Sequence, residues 1–71
     1  MTIYQIFVEG CSAVFESPFR MYSRDVFTAP PSEKDIENFI DRCCDESCLN
    51  TLDKSKPYET KTLKLNLLDN R

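Results

Sequence analysis

Residues 2–9 are rich in strand-forming side chains, and apolar residues at every second position line one face, as in a half-buried strand. Period two places one set of apolar side chains on a common face, and the opposite face is polar except at Ile3 and Phe7. These two exceptions predict that both faces of the strand are partly covered. We therefore expect a strand over residues 2–9 and a turn at residues 10–12. The residues of the common face are Tyr4, Ile6 and Val8.

Two further segments have the composition of strands. Residues 13–28 are extended in character but irregular, and Pro18 predicts an edge, a bulge or a split into two short strands because it has no N–H to donate. Residues 19–27 are the better strand within that segment. Residues 58–68 alternate most cleanly, with leucine at every second position. Those leucines are Leu63, Leu65 and Leu67.

A single amphipathic helix is predicted after Pro30-Pro31. Ser32 is a favourable N-cap, and Asp35 stands three residues later, where a carboxylate can complete a capping box. Apolar residues then follow at the i, i+3, i+4, i+7 spacing of a core-facing stripe. We expect the helix to end between residues 48 and 52. The stripe consists of Ile36, Phe39, Ile40 and Cys43.

The predicted order of elements is β-β-α-β, or β-β-β-α-β if Pro18 splits the second region. A helix on a small, mostly antiparallel sheet of three or four strands is the economical way to bury their apolar faces. We therefore predict one small α+β domain over residues 1–71. The order of the strands within the sheet is left open.

Composition excludes several classes of function. The 71 residues include one glycine and no histidine, so a glycine-rich phosphate loop, a histidine-assisted nucleophile and an imidazole metal ligand are all absent. Twelve acids against nine bases argue against broad electrostatic binding to nucleic acid. No apolar run is long enough to span a membrane, and the first residues do not have the basic and apolar regions of a secretory signal. We expect a cytoplasmic protein that is not an enzyme and has no cofactor.

The four cysteines allow three interpretations: zinc ligands, buried core residues or, if the chain is secreted, two disulfide bridges in one of three pairings. Three of them fall within six residues, and together with the distant Cys11 they supply the ligand count of a structural zinc site. Against this, two adjacent cysteines on one helix point about 100° apart, so the cluster converges poorly on one ion. Cysteine is also one of the most buried residue types, and we expect Cys43 to continue the apolar stripe of the helix. The cysteines of the cluster are Cys43, Cys44 and Cys48.

Acidic residues recur every four positions along the predicted helix. Residues 32–53 hold seven acids against two bases, a balance of −5, whereas residues 54–64 hold four lysines against one glutamate, a balance of +3. Such a row is either the solvated face of the helix or a surface that docks a basic partner. We take the second as the candidate site. Its residues are Glu33, Glu37, Asp41 and Asp45.

The function predicted from the sequence is a non-enzymatic protein-binding or inhibitor module whose acidic helix face meets a basic protein. Its size and acidity suit accessory proteins encoded by phages and mobile elements. One alternative is the zinc-stabilised domain, and another is single-stranded RNA binding through Arg20, Tyr22 and Arg24 on the second strand. A homodimer formed through the sheet also stays open.

Overall fold

The computed structural model describes residues 1–45 and 50–67 as a three-stranded antiparallel sheet and one helix. The α+β prediction is confirmed, with elements in the order β-β-α-β. Pro18 begins the second strand, at an edge of the sheet, and does not split it. The strand order is β2-β1-β3, so the first strand is central. The elements are β1 (Thr2–Cys11), β2 (Pro18–Tyr22), α1 (Glu33–Cys43) and β3 (Glu59–Asn66).

The register of the sheet separates two faces. Even-numbered residues of β1 lie opposite even-numbered residues of β3, as Ile6 lies opposite Thr62, and odd-numbered residues pair likewise. Side chains of directly paired residues share a face of an antiparallel sheet. The even face carries Ile6 and Val8, both buried in the core, and Phe19 of β2 joins them opposite Gly10. The helix therefore covers the even face of the sheet.

Helix α1 begins as the sequence predicts. The Ser32 hydroxyl oxygen accepts the Asp35 backbone N–H at 3.2 Å, and the Asp35 carboxylate accepts the Ser32 backbone N–H at 2.9 Å. This reciprocal capping box satisfies two backbone donors at the N-terminus. The predicted apolar stripe faces the sheet: Phe39, Ile40 and Cys43 are buried, and Ile36 packs against the core.

The helix ends earlier than predicted. The expected end between residues 48 and 52 is wrong, because α1 stops at Cys43 and Cys44 is its C-cap. Leu52 instead donates its backbone N–H to the Cys43 carbonyl at 2.8 Å and is buried in the core. Residues 51–53 run beside the end of β1, where Ala13 donates to the Thr51 carbonyl at 2.8 Å. Residues 51–53 therefore pair with β1 and bury Leu52 instead of continuing the helix.

The single glycine lies within a strand and not in the predicted turn, because β1 continues to Cys11. A Cβ added at Gly10 would lie 2.7 Å from Tyr58 Cβ and 2.8 Å from Leu52 Cδ1, closer than real Cβ atoms approach other carbons. Gly10 thus permits the close passage of two later segments over the strand. Its role is steric and does not depend on an unusual backbone angle.

Candidate functional site

Three of the four predicted acidic residues form a row along the helix. Glu33, Glu37 and Asp41 are exposed residues of α1 at successive four-residue steps. Each step advances about 6 Å along the axis and turns about 40°, so the carboxylates follow one slanting line on the solvent side. We call these three residues the acidic ridge.

Asp45 does not continue the acidic ridge. The backbone N–H of Asp45 donates to the Arg42 carbonyl at 3.2 Å, after α1 has ended. The exposed Asp45 lines a different cavity from Glu37, together with Arg42 and Asn38. The four-residue row expected from the sequence is therefore three residues on the helix and one displaced residue beyond it.

A shallow hollow of about 140 Å³ lies between the acidic ridge and the start of β3. Its floor is largely apolar, and Glu37 is at its rim. Lys54, which also lines the hollow, places its Nζ 3.6 Å from Asp41 Oδ1, and both side chains are well exposed. An exposed ion pair of this kind contributes little to stability and exchanges readily with other ions. The lining residues are Ile36, Glu37, Ile40, Lys54, Tyr58 and Thr60.

A tight turn presents Lys54 to the helix. One carboxylate oxygen of Asp53 accepts the Ser55 hydroxyl at 2.6 Å and the Ser55 backbone N–H at 3.0 Å. These bonds to Ser55, the hydroxyl bond first, hold the pKa of Asp53 below its ordinary value, and the nearby Lys56 lowers it further. The turn closes with a bond from the Lys56 N–H to the Asp53 carbonyl. A side chain that bonds the backbone two residues later is a common way for aspartate to fix a turn.

A larger cleft of about 590 Å³ lies between the helix and the segment that follows β2. Met21, Phe39 and Cys43 contribute an apolar lining, and an exposed ion pair joins Arg42 to Asp25 at 3.0 Å. The volume falls in the range of about 300–1,000 Å³ typical of ligand sites, although this cleft is open to solvent. The sequence does not predict this cleft, because its shape depends on how residues 23–27 leave the sheet.

That departure is fixed by Ser23. The buried Ser23 donates its backbone N–H to the Ile6 carbonyl at 2.7 Å, its hydroxyl oxygen accepts the Ile6 N–H at 3.0 Å, and the hydroxyl donates to the Asp25 carbonyl at 2.8 Å. The chain then rejoins β1 where Phe27 and Tyr4 exchange backbone bonds. The buried serine between polar neighbours is the one sequence signal that marks this irregularity.

The residues proposed for RNA binding lie on β2 and on the segment that follows it. Arg20 donates to the Glu9 carboxylate at 2.6 Å on the odd face of the sheet. The Tyr22 ring packs on Phe7 with centroids 4.8 Å apart, and Arg24 lines the larger cleft. Arg20 and Tyr22 thus share the odd face of the sheet, where Glu9 pairs with the arginine, while Arg24 lies beyond β2 at the cleft that Tyr22 also lines.

The cysteines do not form a metal cluster in the part of the chain that the structure describes. Cys43 is buried in the core, where its thiol lies 3.8 Å from the Met21 sulfur, and Cys11 and Cys44 are half-buried. Within residues 1–45 and 50–67, no three cysteine, aspartate or glutamate side chains are placed to hold one ion. Cys48, the fourth ligand of the zinc hypothesis, lies outside the described residues.

Comparisons with protein-family models, with curated proteins and with solved structures find no significant match to this chain. Over the described ranges, no helix has the length and apolar character needed to cross a bilayer.

Proposed function

We propose that this protein is a non-enzymatic, cytoplasmic binding module that docks a basic protein surface on its acidic ridge. The observation that carries the proposal is the exposed row of Glu33, Glu37 and Asp41 beside an apolar hollow. By covering a basic surface, the module would block whatever else that surface binds. This is an inhibitory or regulatory role, of the kind that phage accessory proteins perform.

The acidic ridge is not needed to stabilise the helix. Like charges four residues apart destabilise a helix by about 0.2–0.5 kcal/mol per pair. Helix α1 is held instead by its capping box and by the burial of Phe39, Ile40 and Cys43. Glu33 stabilises the positive N-terminal end of the helix, but the repulsion along the row is more readily explained by association, where spaced charges steer a partner of opposite sign and fix its register.

The hollow beside the ridge gives the partner's chemistry. Long basic side chains bury their aliphatic stems on apolar surface and keep the charged group in a polar setting. A lysine or arginine stem would lie on Ile36, Ile40 and Tyr58, with its cation near Glu37. Lys54 occupies this side of the ridge in the unbound protein and would be displaced from Asp41. Binding should therefore weaken as salt is raised.

The test compares three immobilised proteins in a lysate of the native host: wild type, Glu37→Lys and Glu16→Lys. Glu16 is exposed on the loop between β1 and β2, so its variant makes the same change in net charge away from the ridge. We expect one protein to be captured by the wild type and by Glu16→Lys, and to be lost from Glu37→Lys and at high salt. The captured protein is then purified and its affinity measured directly. Equal affinity for Glu37→Lys and wild type would refute docking on the ridge.

A further inference from the structure

The apolar stripe of β3 lies on the face of the sheet that the helix does not cover. The odd-numbered residues of β3 pair with odd-numbered residues of β1, as Leu65 pairs with Ile3 and Leu63 with Gln5. Core residues Ile6 and Val8 project from the opposite face. We call the odd-numbered side the open sheet face. Its apolar residues are Met1, Ile3, Phe7, Tyr22, Leu63, Leu65 and Leu67.

Most of this apolar surface is in contact with solvent. Exposure is 39% for Leu65, 48% for Leu67, 57% for Tyr22 and 67% for Met1. Single exposed apolar residues are common on soluble proteins, but a contiguous patch on one sheet face marks an interaction surface. The arrangement differs from the economical fold expected from the sequence, in which the helix and sheet bury each other's apolar faces.

The side-chain charges on the open sheet face balance. The face carries Glu9, which is paired with Arg20 at 2.6 Å, and also Glu59 and Lys61. The side-chain charges therefore cancel, and the Met1 ammonium at the other end of the face adds one positive charge, so two copies meet only a small net repulsion here. The helix side is different, because the acidic ridge of one copy would repel that of another. The charge pattern therefore favours a second copy on the open sheet face and a basic partner on the ridge.

The molecule also exposes more surface than a compact monomer of its mass. Its accessible surface is 5639 Å² for 8.3 kDa, whereas the scaling for monomers gives about 4,600 Å². The radius of gyration is 13.6 Å, against roughly 11 Å for a compact domain of this length. Burial of roughly 800 Å² per copy, as in a standard interface, would remove most of this whole-chain surplus.

We infer that the open sheet face binds a second copy of this chain, so that two sheets pack face to face about a two-fold axis. Sheets packed in this way lie about 10 Å apart and interdigitate their side chains. Leu65 and its apolar neighbours form the half of the interface near Met1, and the charged side chains lie at the opposite end of the sheet. The interface leaves the acidic ridge accessible, so it does not depend on the proposed function.

Pairing through the outer edge of β3 is the competing arrangement, and the hydrogen bonds separate the two. Met1 and Leu67 exchange both backbone bonds, at 3.1 and 2.7 Å. Bonded pairs alternate along an antiparallel ladder, so the N–H of every even-numbered residue of β3 points away from β1. A proline at Thr62 would therefore block pairing at the edge and leave the β1–β3 ladder its bonds.

The test measures mass in solution for wild type, Leu65→Glu, Thr62→Glu and Thr62→Pro at micromolar concentrations. Thr62→Glu adds the same charge to the same strand, but on the even face, where Thr62 is exposed. We expect wild type and both Thr62 variants to have twice the mass of 8.3 kDa, and Leu65→Glu to have the monomer mass. Far-ultraviolet circular dichroism checks that each variant is folded, and Leu65→Ser replaces Leu65→Glu if the latter is not.

Three results would overturn the inference. A wild type that stays monomeric up to high micromolar concentration excludes the dimer. A dimer that persists in Leu65→Glu and is lost in Thr62→Pro places the contact at the edge of β3. A monomeric wild type that binds phosphatidylcholine vesicles, when Leu65→Glu does not, assigns the open sheet face to lipid.

Discussion

Leu65 lies directly opposite Ile3 across the β1–β3 ladder, and the two side chains have different environments although they share one face. Ile3, on the central strand, is 9% exposed, whereas Leu65, on the edge strand, is 39% exposed. Ile3 has chain on both sides, because β3 pairs with it on one side and Phe27 bonds the adjacent Tyr4 on the other. Within the described residues, Leu65 has a bonded neighbour on one side only.

This difference predicts unequal costs of truncation. At concentrations low enough for a monomer, Leu65→Ala should lower the free energy of unfolding by less than about 1 kcal/mol, because the side chain loses few contacts. Ile6→Ala should cost about 2–5 kcal/mol, because Ile6 is completely buried in the core. Urea denaturation of both variants at matched low concentration measures the two values. If Leu65→Ala lowered the free energy of unfolding as much as Ile6→Ala, the Leu65 side chain would be buried within a single copy of the chain.

The close passage at Gly10 predicts that a single methyl group is harmful there. Gly10→Ala would place its Cβ 2.7 Å from Tyr58 Cβ and 2.8 Å from Leu52 Cδ1, so residues 52–58 must move. We expect a loss of about 1–3 kcal/mol, which is typical of overpacking. Ala13→Gly, on the exposed loop after β1, is a control for the general effect of exchanging these residues. Thermal unfolding of both variants is the measurement, and an unchanged stability for Gly10→Ala would contradict this packing.

We expect the loss of stability on replacing a cysteine to follow its burial, whereas metal ligands would show similar losses. Cys43→Ser puts a hydroxyl in the core beside Met21, and we expect it to cost about 1–3 kcal/mol. Cys44→Ser, at the half-buried C-cap, should cost less than about 1 kcal/mol. Urea denaturation with and without a chelator distinguishes cysteines that only pack in or beside the core from cysteines that bind zinc. If both variants were destabilised to a similar degree relative to the wild type, and a chelator lowered the stability of the wild type to theirs, the zinc hypothesis would be supported instead.

The Asp53 turn predicts a specific dependence of stability on pH. Hydrogen bonds from Ser55 lower the pKa of Asp53 in the folded protein below its ordinary value of 3.8. A carboxyl with a depressed folded pKa stabilises the fold above its unfolded pKa, and this contribution is lost as pH falls through the folded pKa. As pH falls below about 4, the melting temperature of Asp53→Asn should therefore decrease less than that of the wild type.

Ser55→Ala is the companion to that variant. It removes the hydroxyl bond to Asp53 but keeps the backbone N–H bond, so it should reduce the acid dependence only in part. Melting temperatures of wild type, Asp53→Asn and Ser55→Ala across the acid range test the order of the three. If Asp53→Asn kept the full acid dependence of the wild type, other carboxyls would be responsible.

Local patterns predicted the elements better than their assembly. The Ser32–Asp35 capping box and the stripe that includes Phe39 and Ile40 depend on neighbours three or four residues away, and the structure has both. The early end of the helix was missed because Leu52 is held by the distant end of β1, a contact that no periodicity encodes. The alternation of residues in β3 predicts a strand but not the face on which its leucines lie. A shift of one residue in the register would exchange the two faces.

The acidic residues of the candidate site were predicted only in part, because local spacing holds only within the helix. Helical spacing placed Glu33, Glu37 and Asp41 together on one side of α1. Asp45 was misplaced because its position depended on the end of the helix. The hollow at Glu37 and the cleft beside Arg42 arise where segments far apart in the chain meet, so composition and spacing gave no sign of either.

The position of β1 at the centre of the sheet has a consequence for how the chain folds during synthesis. The ribosome makes this strand first, and its partner β2 follows within a few residues, but its other partner β3 is the last of the four elements to be made. Until Glu59–Asn66 has emerged, one edge of β1 has no strand to pair with. Contacts between such distant segments slow folding and leave apolar strands unpaired while synthesis continues. The nascent chain is therefore most prone to aggregation before its final strand is added.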